Sequence, residues 1–180
     1  MIRTFIALDL PETLRRQLAL IQHMLPGGRA VAPESLHVTL LFLGEQPEHL
    51  LAEVDSALSS ITAPPFTLHP AELGVFGGDK PRSVHLSLRA DPALEQLHAR
   101  ICRAVAGAGL PLPRRRFIPH VTLRRYAPGE GSAPALARAI AAQGLIAASP
   151  FPVAYFSLMR SRLRPEGPAY DELARYPLTG

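Results

Sequence analysis

His37-Val38-Thr39-Leu40 and His120-Val121-Thr122-Leu123 are two copies of one four-residue motif, 83 positions apart in the chain. Each copy stands in an apolar run that is typical of a buried strand. Because successive side chains of a strand point to opposite faces, the His and Thr of each copy share one face and the Val and Leu share the other. The motif therefore predicts two strands, each with a reactive face and a core face.

The segments that precede the two motifs are also similar. A strand-like run (Ile2 to Leu8) and then a helical pattern precede the first copy, and a strand-like run (Ser83 to Leu88) and then a helical pattern precede the second. We therefore expect one domain, 1–180, built from an internal repeat, roughly 1–75 and 82–160. The two motif strands would then lie close to a pseudo-twofold axis.

Hydrophobic periodicity predicts the other elements of the chain. Four helices are predicted, which begin near Pro11, Leu50, Pro92 and Pro134, the last of them ending at Leu145. Further strands are predicted at Ser35–Leu43, Phe66–Leu73, Arg115–Arg125, Phe151–Met159 and Ala169–Leu178. Strands and helices that alternate in two similar halves, with hairpins added, indicate an α+β domain.

The net charge is +4, and 18 of the 19 basic residues are arginine, which forms bidentate hydrogen bonds to phosphate oxygens. Codon bias explains the total equally well, so the positions carry more information. Two groups stand out: Arg114, Arg115, Arg116, Arg124 and Arg125 bracket the second motif, and Arg160, Arg162 and Arg164 lie in one predicted loop. These positions favour a phosphate-containing substrate.

Cys102 is the single cysteine, which excludes an internal disulfide and a cysteine metal cluster. The first apolar run is too short for a signal peptide, and the longest apolar segment is shorter than a membrane span. We expect a cytoplasmic protein without a membrane segment. With no interface signature in the sequence, we expect a monomer.

Two histidines brought together from separate strands are sufficient for acid–base catalysis on a phosphodiester without a metal. One imidazole accepts a proton from the attacking oxygen while the other, as imidazolium, protonates the leaving oxygen. Thr39 and Thr122 lie on the same faces and can donate hydroxyl protons to phosphate oxygens. Neither motif has a second ligand at zinc spacing, so we expect no metal and no cofactor. The residues alone leave open which histidine is the acid.

The paired motifs, the opening Arg3–Asp9, the block Pro119–Leu123, and the ending Leu158–Leu163 with Gly167 and Tyr170 resemble the 2H phosphoesterase superfamily. The similarity spans nearly the whole chain and is greatest to the RNA 2′,3′-cyclic phosphodiesterases, also called 2′-5′ RNA ligases. The resemblance implies two pseudo-symmetric lobes of βαβ type, with antiparallel sheets that line a central cleft and helices outside.

The resemblance also implies a reaction and roles for single residues. The reaction is hydrolysis of a terminal 2′,3′-cyclic phosphate of RNA to a 2′-phosphate, or its reverse, 2′-5′ ligation. His37 would be the proton donor and His120 the acceptor, while Thr39 and Thr122 would hold the phosphate. The family's arginine stands five residues after the second motif histidine, at Arg125.

Strand alternation predicts Arg124 rather than Arg125 on the face of His120. We favour Arg125, because strands often bulge near their ends, and keep Arg124 as second choice. Phe5 is predicted to stack on a terminal base or to be a core residue. Two other functions stay open, namely a non-catalytic RNA-end-binding module and a phosphodiesterase of a small nucleotide, such as a 2′,5′-oligoadenylate or a cyclic ADP-ribose derivative.

Overall fold

Strands and helices alternate along the chain in the computed structural model, which describes residues 1–112, 116–144, 148–164 and 167–180. The strands are β1 (Ile2–Asp9), β2 (Arg29–Ala30), β3 (His37–Gln46), β4 (Phe66–Leu68), β5 (Pro70–Phe76), β6 (Ser83–Leu88), β7 (His120–Arg125), β8 (Phe151–Val153), β9 (Tyr155–Arg164) and β10 (Gly167–Pro177). The helices are α1 (Glu12–His23), α2 (Glu48–Ser59), α3 (Pro92–Gly107) and α4 (Ala133–Gln143).

Within these residues, eight strands form one antiparallel sheet in the order β10-β9-β1-β3-β7-β6-β5, with β2 paired to β7. The motif strands β3 and β7 are neighbours at its centre and pair through Val38 and Val121. β4 and β8 form a separate two-stranded sheet. The fold is α+β, and its two halves are pseudo-symmetric about the β3–β7 pair; the boundaries of the repeat stay a prediction.

The helices bury apolar stripes against the core-facing side of the sheet. Leu14, Leu18 and Ile21 of α1 are buried, as are Leu94 and Ile101 of α3. The motif residues Val38 and Val121 belong to the same buried cluster, so the Val/Leu side of each motif contributes to the core, as predicted. Among the described residues, no helix has the length and apolar composition needed to cross a membrane.

Several predicted boundaries were wrong, and each has a physical reason. Pro33–Ser35 form a 3-10 turn, so the first motif strand begins at His37 instead of Ser35. The predicted strands Phe66–Leu73 and Phe151–Met159 are each divided, because the chain crosses from the small sheet to the large one at His69 and at Ala154. The second motif strand begins at His120. The predictions for Arg114, Arg115 and Leu145 fall outside the described residues.

The predicted basic loop at Arg160 is also wrong, because β9 continues through it to Arg164 and pairs with β10. Arg160 and Arg162 form ion pairs with Asp171 of β10, at 3.0 Å and 2.5 Å. The hydrogen bonds from Arg162 and Arg160, together with their charges, lower the pKa of the Asp171 carboxyl. The two arginines thus have a carboxylate partner in the sheet.

Candidate active site

The two motifs face each other across the centre of the sheet. In an antiparallel pair centred on Val38 and Val121, the neighbouring residues lie with His37 opposite Thr122 and Thr39 opposite His120. All four side chains line one cavity of about 220 Å³, which we call the central cavity. The structure therefore brings together the four motif residues that the sequence singles out.

Each motif histidine is held in the same tautomer by the same local contact. His37 Nδ1 donates to the carbonyl of Ser35 at 2.7 Å, and His120 Nδ1 donates to the carbonyl of Ile118 at 2.7 Å. Because a carbonyl oxygen only accepts, Nδ1 carries the proton and Nε2 is the nitrogen that remains for proton transfer. At His37, Nε2 lies 3.0 Å from the Thr39 hydroxyl.

Burial lowers the pKa of both histidines. The pKa of His37 is lowered to about 4, mainly by burial, with smaller contributions from the charges of Arg125 and Arg15. The bond to the Ser35 carbonyl opposes this shift. The pKa of His120 is lowered by burial and by Arg125. In the absence of an anion, both imidazoles are therefore mainly neutral at pH 7.

A β-bulge in each motif strand changes the alternation of faces. Along β6, the partner on β7 changes from Arg124 to Thr122 within one step, so Leu123 is an extra residue. Along β1, the partner on β3 likewise changes from Leu41 to Thr39, so Leu40 is an extra residue. The residue five positions after each histidine consequently returns to the cleft face.

In the second motif that residue is Arg125, which lines the central cavity with both histidines. Its guanidinium forms no ion pair with any carboxylate among the residues that the structure describes. The bulge thus explains why simple alternation selected the wrong neighbour.

Arg124 has a different position. Its guanidinium donates to the carbonyls of Gln22 and Gly28, both at 3.0 Å, and to that of Gly27. These carbonyls belong to the end of α1 and the loop after it. Arg124, the second choice for a substrate-binding arginine, is therefore corrected, because its guanidinium holds the end of α1 and the loop after it.

Phe5 is a packing residue in this structure. Its ring is only 2% exposed and contacts the rings of His37 and Tyr170, with centroids 4.9 Å and 5.0 Å away. The burial favours the core alternative, and the stacking expectation stays a prediction, because Phe5 also lines the cavity of about 660 Å³ beside His37. The His37 ring thus packs against a tilted Phe5 ring and meets the Tyr170 ring edge-on at 5.1 Å.

Three residues that were not predicted as site residues line the central cavity: Phe42, Phe76 and Tyr170. Phe42 stands five residues after His37, as Arg125 stands five residues after His120, and it is 59% exposed. Applying the family's spacing to both motifs would have found it. Phe76 and Tyr170 come from strands far away in the chain, and only the strand order brings them to the motifs.

His85 packs against His120. Its ring stacks on Phe76 at 4.0 Å and meets the His120 ring edge-on at 5.2 Å. Burial lowers the pKa of His85 to about 4. Each motif histidine therefore stands in a cluster of three rings, His37 with Phe5 and Tyr170 and His120 with Phe76 and His85.

Comparisons with known proteins agree with this architecture. The profile of the 2′-5′ RNA ligase superfamily matches residues 10–164. The chain is 34% identical to the RNA 2′,3′-cyclic phosphodiesterase of Thermus thermophilus, over 99% of the chain and 91% of that protein. It is 32% identical to the RNA 2′,3′-cyclic phosphodiesterase of Geobacillus stearothermophilus over 87% of the chain, but spans only 49% of that longer protein.

Among solved structures, E. coli LigT complexed with 3′-AMP is 28% identical, with a TM-score of 0.77 over 99% of this chain and 98% of that one. The residues that the superfamily profile matches, 10–164, include both motifs and all of β3 and β7. The chain belongs to the 2′-5′ RNA ligase superfamily.

Proposed function

We propose that the protein is a metal-independent phosphodiesterase that opens the 2′,3′-cyclic phosphate at the end of an RNA to a 2′-phosphate. The observation that carries the proposal is the pair of motif histidines, which share one cavity and are both fixed through Nδ1 to a carbonyl. Two imidazoles with Nε2 as the reactive nitrogen can move one proton in and one proton out of a phosphodiester in a single displacement.

In the proposed reaction, His120 Nε2 accepts a proton from water as the water oxygen bonds to phosphorus. The bond from phosphorus to O3′ breaks, and the His37 imidazolium gives its Nε2 proton to O3′. The phosphate remains on O2′. This polarity rests on the family resemblance, because the two histidines have equivalent hydrogen bonds.

The other residues of the central cavity would stabilise the charge of the phosphate. Thr39 and Thr122 present hydroxyl groups that can donate to its non-bridging oxygens. Arg125 adds a fixed positive charge where the pentacoordinate transition state is most negative. A bound anion also favours the imidazolium form, so substrate binding would raise the pKa of His37 and supply the general acid.

The substrate class follows from the relatives, which are named RNA 2′,3′-cyclic phosphodiesterases. RNA ends and small cyclic nucleotides present the same five-membered phosphodiester, and the residues that we propose for catalysis contact only that group. We further propose a monomer in the cytoplasm. Light scattering coupled to size exclusion would test the monomer, and fractionation of the source cells would test the compartment.

The decisive experiment is hydrolysis of an oligoribonucleotide with a 2′,3′-cyclic phosphate end in excess EDTA, with identification of the product isomer. We expect a 2′-phosphate, and we expect His37→Ala and His120→Ala to lose turnover by a factor of about 1,000 or more. Fluorescence anisotropy with the same RNA shows whether the variants still bind.

Each other outcome has a defined meaning. A 3′-phosphate product would show that O2′ leaves instead of O3′, which would contradict the proposed step. Binding without turnover in the wild type would favour the RNA-end-binding module. Turnover of 2′,5′-oligoadenylate or of a cyclic ADP-ribose derivative, but not of the RNA end, would identify a phosphodiesterase of small nucleotides.

A further inference from the structure

Arg15 of α1 joins three segments of the chain that meet beside the first motif. Its Nε donates to the carbonyl of Leu10 at 3.0 Å, and its two terminal nitrogens donate to the carbonyl of Pro33 and to the carboxylate of Asp9. The side chain is only 12% exposed, and each nitrogen of the guanidinium has an acceptor. Arg15 thus connects α1 to the end of β1 and to the Pro33–Ser35 turn.

The turn that Arg15 contacts is the one that holds the imidazole of the first motif. The carbonyl of Pro33 also accepts from the Leu36 amide at 3.2 Å, and this bond closes the turn. The carbonyl of Ser35, two residues further on, accepts the Nδ1 proton of His37 at 2.7 Å. The hydrogen-bond path from Arg15 to His37 therefore passes through a single turn of the chain.

Asp9 holds the guanidinium of Arg15 from the side of the sheet. Asp9 lies opposite His37 in the pairing of β1 with β3. One of its carboxylate oxygens accepts from Arg15, and the other accepts from the Tyr155 hydroxyl of β9 at 3.0 Å. Because the guanidinium is planar and presents its donors in a fixed geometry, bonds on three sides determine where the turn lies relative to the sheet.

We propose that Arg15 is a positioning residue for His37, because it fixes the turn whose carbonyl sets the orientation and the tautomer of the imidazole. This proposal rests on the proposed function, in which His37 protonates the leaving O3′. Arg15 does not itself line the central cavity. A shift of the turn would move His37 Nε2 relative to O3′, and misplacement of a catalytic group by about 1 Å can cost a factor of about 100 in rate.

The charge of Arg15 gives a second signature that a packing role would lack. Charged and titratable groups of four elements face the imidazole of His37: Asp9 (β1), Arg15 (α1), His120 and Arg125 (β7) and Tyr170 (β10). After burial, the charges of Arg125 and Arg15 lower the pKa of His37. Removing the charge of Arg15 should therefore raise this pKa, whereas loss of its hydrogen bonds alone should not.

Two substitutions of Arg15 separate its hydrogen bonds from its charge. Arg15→Lys keeps the charge but cannot donate in three fixed directions. We expect its kcat for adenosine 2′,3′-cyclic phosphate to fall about tenfold or more, with KM changed by less than about threefold. Arg15→Met should lose at least as much kcat. It should also raise the upper apparent pKa of the kcat profile, which reports the acid, because a positive charge beside His37 is removed.

Two further variants serve as controls. Asp9→Asn removes the opposite charge of the same ion pair, so the upper apparent pKa should not rise. This milder change also keeps the test available if Arg15→Met does not fold. Arg16→Met removes an arginine at the next position of α1, where the side chain is 77% exposed and pairs with Glu12. It should leave kcat and the pH profile unchanged.

A spectroscopic measurement on the folded protein does not depend on turnover. Proton–nitrogen correlation spectra of the histidine rings report which nitrogen carries the proton. In the wild type we expect a protonated Nδ1 in both His37 and His120. In Arg15→Lys and Arg15→Met, His37 should gain the form protonated at Nε2, which can donate to the Thr39 hydroxyl 3.0 Å away. His120, which is held by Ile118, should not change.

The possible results have distinct meanings. Unchanged kcat and an unchanged His37 tautomer in Arg15→Lys would overturn the proposal. A change of tautomer in both histidines, or an equal rise of the upper apparent pKa in Asp9→Asn and Arg15→Met, would indicate a general loosening and would also overturn it. If the wild type did not hydrolyse the cyclic phosphate, the proposed function would fail, while the spectra would still decide whether Arg15 positions His37.

Discussion

Arg124 and Arg125 are adjacent arginines with different environments, and exchanging each for alanine should separate stability from catalysis. Arg124 donates to three backbone carbonyls at the end of α1 and in the loop after it. Hydrogen bonds from a charged donor contribute about 1.5–3 kcal/mol, and partial exposure of this side chain favours the lower end. At about 1.5 kcal/mol and roughly 2–4 °C per kcal/mol for a chain of this size, Arg124→Ala should lower Tm by about 3–6 °C.

Arg125→Ala should have the opposite pattern. This side chain lines the central cavity, and removing one group that stabilises a transition-state oxyanion typically costs a factor of about 100 to 1,000 in kcat. Its Tm should change by less than about 2 °C, because it forms no side-chain hydrogen bond with the described residues that folding would lose. Arg125→Lys should recover only part of the rate, since lysine keeps the charge but not the bidentate geometry.

Differential scanning fluorimetry and initial rates on a cyclic nucleotide measure both effects in the same samples. The rates must be taken well below the Tm of Arg124→Ala, so that unfolding does not contribute. If folded Arg124→Ala lost as much kcat as Arg125→Ala, both arginines would contribute to catalysis. The bulge at Leu123 would then not be the feature that selects the functional arginine. Unchanged kcat in Arg125→Ala would refute its role at the phosphate.

Three further predictions concern the histidines. The unfolded chain protonates His37 and His85 below about pH 6.5 but the folded chain only below about 4, so stability should fall between pH 6.5 and 4, by on the order of 1–3 kcal/mol per histidine in urea titrations. The upper apparent pKa of the kcat profile should exceed that of the kcat/KM profile, because a bound phosphate anion favours imidazolium; identical values would contradict this coupling. Gly74→Ala places a Cβ 2.7 Å from His85 Nε2 and should reduce activity by displacing the His120 ring, whereas Gly107→Ala, where nothing lies within 4 Å, should not.

The duplicated motif was sufficient to predict the centre of the fold. Alternation of faces placed His37 and Thr39 in the cleft and Val38 in the core, and the structure agrees because the bulges begin only after the threonines. Alternation failed beyond that point, at Arg124. A bulge is an extra residue relative to the partner strand, so the alternation within one strand does not reveal it.

The remaining parts of the cleft could not be predicted for a related reason. Phe76 and Tyr170 reach the cleft because β5 and β10 occupy their particular places in the sheet. Long-range strand order is set by the packing of the whole domain, which no local pattern encodes. The contact of His85 with His120 belongs to the same class, since β6 must first be placed beside β7.

The duplicated bulge also suggests how a symmetric arrangement obtains a direction. The His and Thr residues are related by the pseudo-twofold axis, and the hydrogen bonds of His37 and His120 to their carbonyls are equal in length. On the face of the cleft, the first chemical difference comes five residues after each histidine, where one strand supplies Phe42 and the other Arg125. In the proposed mechanism, Arg125 draws the phosphate charge toward His37, because it lines the cavity of about 660 Å³ beside His37 and not the cavity of about 360 Å³ beside His120. Phe42 borders both cavities and adds no charge to either. Exchanging the two residues, as Phe42→Arg with Arg125→Phe, should therefore reduce hydrolysis but raise the share of 3′-phosphate among the products, and an unchanged isomer ratio would show that the polarity comes from elsewhere in the cleft.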